Sequence, residues 1–205
     1  MRLYFVRHGE SEANLAREFS NRGFKHPLTP KGIAQAQALA TQLAGHNVTN
    51  IFASPLQRAV QTADLLAQAC GVSVAITAAL REWDVGILEG TTDQHGWDMH
   101  RQIQEDWFVH HQLDHKIPEG ESFLDMRARF APFIHELVQT AAPPSAVVVL
   151  VGHGGLYHAM LPMILQNIDY ELITRHPFAN TAYAVAETRP DGLYCREWCG
   201  MAIED

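Results

Sequence analysis

The chain has 205 residues, 47% hydrophobic and 19% charged, which suits one globular domain with room for an elaboration and excludes a disordered or fibrous protein. Fifteen lysines and arginines against 23 aspartates and glutamates leave a formal net charge of -8. That balance excludes a general nucleic-acid binder and a polybasic membrane-surface protein, since both need a positive field; any anion site must be local.

The first apolar run, residues 2–6, has the aromatic and β-branched content of a buried strand. It breaks at Arg7, too short for a signal-peptide core or a membrane span, so the reading is a soluble, cytoplasmic protein. Residues 17–27 read as a polar loop carrying several cations. Thr29-Pro30 then supplies an N-cap and a first-turn proline for a helix reaching His46, with Ile33, Ala36, Leu39, Ala40 and Leu43 at helical spacing. Residues 50–53 form a second short strand, Ser54-Pro55 opens another helix, and Gly71 ends it. Residues 72–76 predict a third strand.

Residues 94–116, rich in tryptophan and histidine, interrupt this alternation. With Pro118-Glu119-Gly120 closing it, the segment reads as a helical insertion over 94–118, lying across one end of the sheet, before a helix over 122–140. Residues 146–151, a continuous β-branched run, predict a strand buried on both faces, as in the middle of an α/β sheet. Gly152-His153-Gly154-Gly155 and a helical pattern follow. Residues 180–186 and 193–198 read as two closing strands, joined as a hairpin through Arg189-Pro190-Asp191-Gly192. The fold class is therefore α/β: a three-layer sandwich whose mostly parallel central sheet carries helices on both faces. Cys70, Cys195 and Cys199 are too few for a disulfide scaffold, lack zinc-ligand pairing, and read as free thiols.

Two apolar strands end alike, in Arg7-His8-Gly9 and in Gly152-His153-Gly154. Ligands of open α/β sheets bind at the carboxyl ends of the strands, so both histidines can face one crevice. Taken singly, each glycine is better explained by a tight strand-to-helix turn. Arg58 stands in the first turn of a predicted helix, where a guanidinium and free N–H groups suit an anion, although a lone surface arginine is the more ordinary explanation. Glu82 follows the third strand in a loop; a lone loop glutamate is usually just solvated.

Together, Arg7-His8-Gly9-Glu10 with Ser11 and Asn14, Leu28-Thr29 with Gly32, Ser54-Pro55-Leu56 with Arg58 and Thr62-Ala63, Glu82 with Gly86 and Glu89-Gly90, Gly120-Glu121-Ser122, and Gly152-His153-Gly154 resemble the histidine phosphatase superfamily, of phosphoglycerate mutase-like fold. The resemblance covers nearly the whole chain. It implies that His8 is a nucleophile forming a phosphohistidine, and that Arg7, Arg58 and His153 surround the phosphoryl oxygens as cations. It further implies that Glu82 is general acid and then general base, and that Asn14, Gly154 and Asn180 with Thr181 help bind phosphate or order the pocket. No metal and no cofactor are expected, because positioning and charge carry phosphoryl transfer here.

The expected activity is phosphomonoester hydrolysis on a small phosphorylated metabolite. Similar mutases carry Arg-His-Tyr after the catalytic glutamate, whereas Glu82 is followed by Trp83-Asp84-Val85-Gly86. Mutase-type transfer stays as the alternative, with a metal-dependent hydrolase and a non-catalytic phosphate-binding module behind it. The partner expected is the phosphorylated substrate, with neither nucleic acid nor membrane, and homodimerisation is left open. Residues 21–27 depart from the related pattern, since His26-Pro27 precedes Leu28-Thr29. Specificity is expected from that loop and from the insertion, whose Trp97, Trp107 and Phe108 either line a pocket or, the preferred reading, form its own small core. Only His8 and His153 are placed in the site; the other ten histidines default to surface or packing roles unless those of the insertion touch substrate.

Overall fold

Along the first strand, β1 (Arg2–Arg7), Leu3 and Phe5 join one apolar core while Tyr4 and Val6 join another. All four are buried, so both faces of the strand are covered. The computed structural model describes residues 1–140 and 145–204. The remaining elements, in chain order, are α1 (Glu12–Ala16), α2 (Pro30–Leu43), β2 (Val48–Ala53), α3 (Gln57–Cys70), β3 (Val74–Ile76), α4 (Gln94–Phe108), α5 (Phe123–Thr140), β4 (Val147–Gly152), α6 (Gly154–Ile164), α7 (Tyr170–Arg175), β5 (Tyr183–Arg189), β6 (Gly192–Trp198) and β7 (Met201–Ala202).

The seven strands form one sheet in the order β3-β2-β4-β1-β5-β6-β7. β4, which carries the strongest apolar run, lies between β1 and β2 and pairs in parallel with both, and β3 extends this parallel half. β5 adds antiparallel to β1, and β6 and β7 continue antiparallel to the edge. Period-2 alternation sorts the side chains. Val148, Leu150, Ala184 and Ala186 face the α4–α7 layer with Leu3 and Phe5, while Val149, Val151 and Val185 face α2 and α3. The three-layer α/β architecture expected from the sequence is the one observed.

The local signals act where they stand. Thr29 Oγ1 accepts from Gly32 N at 3.0 Å and caps α2, and Gly71, at φ 71°, ends α3. Pro190 and Asp191 make the β5–β6 turn, Arg189 pairing with Gly192. Several boundaries differ from expectation. β3 begins only at Val74, since Val72 N still donates to Ala67 O of α3 at 3.2 Å, and β5 at Tyr183, since Asn180 and Thr181 bend onto the end of β1, Thr181 N donating to Arg7 O at 3.1 Å. β7, only two residues long, gives no periodicity to read. Among the described residues no helix is long and apolar enough to cross a membrane.

Candidate active site

The parallel register places Arg7 beside Gly152 and Ala53 beside Val151, so β1, β4 and β2 end side by side. Residues just beyond those ends converge. His8 N donates to Gly152 O at 3.1 Å and Ser54 N to Val151 O at 2.9 Å, which extends the sheet by one rung and fixes where the His8 and His153 side chains start. Their rings are buried, with centroids 5.1 Å apart. Close approach of backbones holds the loop after β1: a Cβ on Gly9 would lie 2.5 Å from Gly32 O, so the loop packs against the first turn of α2 only with glycine there.

The partners of His8 decide its tautomer. Nδ1 lies 2.7 Å from Gly9 O, which can only accept, so Nδ1 carries the proton; Nε2 lies 3.1 Å from Arg58 Nε–H, which can only donate, so Nε2 presents its lone pair. Burial first, then Arg58 and Arg7, hold the His8 pKa well below its ordinary value, opposed by the bond to Gly9. Arg58 is itself buried, fixed by Ser20 O at 2.7 Å and Asn21 Oδ1 at 3.4 Å, and burial brings its pKa down to about 10. The loop over 17–27 is thus part of the site. Its cations are engaged: Arg22 Nε straddles the Asp84 carboxylate at 2.9 and 2.8 Å, and Lys25 pairs with Glu89 at 3.1 Å.

Glu82 reaches the crevice from the loop after β3. Its carboxylate accepts from Gly155 N at 2.9 Å and Leu156 N at 2.7 Å at the start of α6, and from Trp83 N at 3.1 Å. Anions are favoured at a helix N-terminus. Burial nevertheless outweighs these donors and Arg58, and the Glu82 pKa is raised. A Cβ at Gly155 would come within 2.8 Å of Glu82 Oε1, which is why this carboxylate can sit on the helix end. The loop is braced from below: Glu121 Oε2 accepts from Asp84 N at 2.9 Å, and Arg129 grips both Glu121 oxygens at 2.8 and 2.9 Å.

His153 caps α6 by position and faces Ser54 Oγ from Nε2 at 2.7 Å. Burial, then Arg58, His8 and Arg7, press its pKa well below the ordinary value, which disfavours the cationic form expected of it. Two buried polar atoms lack partners among the described residues, and both belong to this group: Arg7 Nε and His153 Nδ1. Asn14 lines the crevice, its Oδ1 held by Ser11 and Asn180. Asn180 stands behind the lining. Its Nδ2 donates to His8 O at 3.1 Å and to Asn14 Oδ1 at 3.2 Å, so it orders the loop and has no N–H left for phosphate.

Arg7, His8, Asn14, Arg58, Glu82 and Gly154 line one crevice of about 510 Å³; His153, fully buried, and Asn180 are not part of its lining. Further walls come from Ser20 and Asn21 of the loop, His100 and Gln104 of α4, and His158 of α6; the loop over 21–27 and the insertion were expected to contribute, whereas Ser20 and His158 were not. The insertion aromatics divide. Trp97 lines the crevice, Trp107 is buried in the core against Trp83, and Phe108 packs on Tyr170 and His158. An apolar groove of about 920 Å³ between α5 and the β5–β6 hairpin contains none of the expected site residues.

Two strand-end histidines, two guanidiniums and a carboxyl on a helix N-terminus thus converge at the carboxyl ends of the parallel strands of this α/β protein. The model of the histidine phosphatase superfamily (branch 1) matches residues 3–200, and the chain belongs to that superfamily. It is 32% identical over 171 residues to "Probable phosphoglycerate mutase GpmB" of Proteus mirabilis, covering 80% of this chain and 75% of that protein. Among solved structures it resembles mycobacterial glucosyl-3-phosphoglycerate phosphatase in complex with VO3, at TM-score 0.82, 26% identity, and coverage of 98% of this chain and 99% of that one. It likewise resembles the alpha-ribazole phosphatase of Shigella flexneri, at TM-score 0.79, 25% identity, and coverage of 100% and 99%.

Proposed function

We propose that the protein hydrolyses phosphomonoesters through a phosphohistidine on His8, without a metal. The observation that carries this reading is the pair of orphaned atoms beside His8. Leaving a buried polar group unpaired costs about 1–3 kcal/mol, and phosphoryl oxygens would satisfy Arg7 Nε and His153 Nδ1 at once.

His8 Nε2 attacks phosphorus as the ester P–O bond breaks, and the Glu82 carboxyl gives its proton to the leaving oxygen, releasing the alcohol. Arg58 turns its Nε–H from His8 to a phosphoryl oxygen as the group arrives, freeing the lone pair for attack. Water then attacks the phosphohistidine, Glu82 takes the proton from that water, the N–P bond breaks and phosphate leaves. Arg7, Arg58 and the α6 N-terminus, with Gly154 beside Arg7, oppose the charge that develops on the transferring group. Asn14 borders the phosphoryl end, and Asn180 holds both Asn14 and the His8 carbonyl.

The relatives named as mutases supply the second reading, transfer of the phosphoryl group back to an organic acceptor. Rapid quenching of enzyme with a ³²P-labelled monoester should give acid-labile, base-stable label that disappears in His8→Ala, with phosphate as the final product. Label retained in His8→Ala would overturn the nucleophile. Return of label to an added alcohol instead of water would favour the mutase.

A further inference from the structure

Resting on the hydrolase reading, we infer that the far end of the crevice selects an uncharged, polyhydroxylated organic moiety over a carboxylated one. Phe19, Trp97, His100, Gln104, His158 and Glu18 line that end.

The two arginines of the lining, Arg7 and Arg58, both belong to the phosphoryl end, and no lysine joins them. Beyond them the charged side chain is a carboxylate, Glu18, held by His26 at 3.0 Å and Lys25 at 3.9 Å. Arg17 stays on the rim, its guanidinium over the Trp97 ring at 5.6 Å. A second carboxylate entering here meets a like charge and no new cation.

What the wall offers instead is matched donors and acceptors. His100 lies against Phe19 and Trp83, with ring centroids 5.0 and 4.7 Å away, and meets Trp97 in a T-shaped contact at 5.6 Å, so aromatic rings cover its faces and leave part of its edge for ligands. Burial lowers its pKa to about 4, and burial likewise lowers that of His158, which packs edge-on against Phe108 at 5.2 Å. No hydrogen bond engages either ring or the Gln104 amide among the described residues, nor do their polar atoms join Arg7 Nε and His153 Nδ1 as fully enclosed. A neutral imidazole has one donor and one acceptor, as an amide has both, and a hydroxyl answers each; a carboxylate only accepts. Against each imidazole a carboxylate can answer only the N–H and leaves the ring's lone pair without a donor. The Phe19 and Trp97 rings, 4.2 Å apart, supply an apolar wall for the C–H face of a sugar or polyol.

D-glucitol 6-phosphate and 6-phosphogluconate test the inference directly, since they differ only in a terminal CH2OH or carboxylate. Titration calorimetry on His8→Ala reads preference without turnover. Glucitol phosphate should bind at least about tenfold more tightly, as expected when one charged group goes uncompensated. His100→Phe and His158→Phe should shrink that gap to within about threefold. Glu18→Gln, which leaves the aromatic stack untouched, should tighten 6-phosphogluconate several-fold. Equal or tighter binding of 6-phosphogluconate, or a gap unmoved by all three substitutions, overturns the inference. Phosphate release from glucitol 6-phosphate and phenyl phosphate by the unaltered protein is scored separately: its absence with the binding preference intact overturns the hydrolase reading, not the selectivity.

Discussion

Burial holds the Glu82 carboxyl above its ordinary pKa against the pull of three backbone N–H groups and of Arg58. The same contacts steady the carboxylate after the proton leaves, so one residue serves both halves of the proposed cycle. Glu82→Gln should lower kcat on an alkyl phosphate by about 10²–10⁴-fold and on 4-nitrophenyl phosphate by far less, because that leaving group needs no acid. Steady-state rates on both substrates check this, and equal losses would refute the acid role. His8, held below its ordinary pKa, should keep kcat/KM level as pH falls through 6.5. The phosphoryl end of this site was legible because its residues sit at strand ends in short motifs. His100 and His158 were not. Each occupies an ordinary helical position, and only the packing of α4 against Phe19 and Trp83 turns His100 to the crevice.

Helix α6 serves the site as an element. His153 stands at its N-cap, and its first turn takes the Glu82 carboxylate on two N–H groups and approaches Arg7 at Gly154. Gly155→Ala should push Glu82 off the helix, with overpacking costing about 1–3 kcal/mol in stability and a larger fractional loss on alkyl than on aryl phosphates. Gly154→Ala, whose new Cβ would meet Arg7 Nε at 3.3 Å instead of 2.8 Å, is the milder control. Urea titration and rates on both substrates separate the two. At this scale the strong patterns were readable: β4 from its unbroken apolar run, α2 and α3 from Thr29 and Gly71. The starts of β3 and β5 were not, because hydrogen bonds outside those strands set them: Val72 N donates back to Ala67 O of α3, and Thr181 N to Arg7 O.

The whole molecule buries several histidines in the neutral state. His8 and His153 are pressed well below their ordinary pKa and His100 to about 4, while in the unfolded chain all three titrate near 6.5. Below pH 6.5 the unfolded chain therefore binds more protons than the native one, and stability present above that pH is lost as pH falls towards the folded values. Each such histidine contributes a slope of up to about 1.4 kcal/mol per pH unit. The melting temperature should drop steeply between pH 6.5 and 5, and His100→Phe should shallow that drop by about one proton. A flat profile would show that these rings are not buried neutral. The two cores also share strands: Leu150→Ala on β4 should destabilise the protein by about 2–5 kcal/mol, read by denaturant titration.

The strand order has a consequence for how the protein is made. β1 and β2 are the first strands synthesised, yet they do not touch; β4, residues 147–152, must be laid between them. Until roughly three-quarters of the chain has left the ribosome, His8 at the end of β1 and Arg58 at the start of α3 have no shared strand to align them, and β1 and the β4 side of β2 present open edges. A nascent fragment can hold Arg7-His8-Gly9 without holding the crevice those residues line. Truncated or stalled chains should then be inert towards phosphorylated metabolites, and activity should switch on only when the central strand arrives.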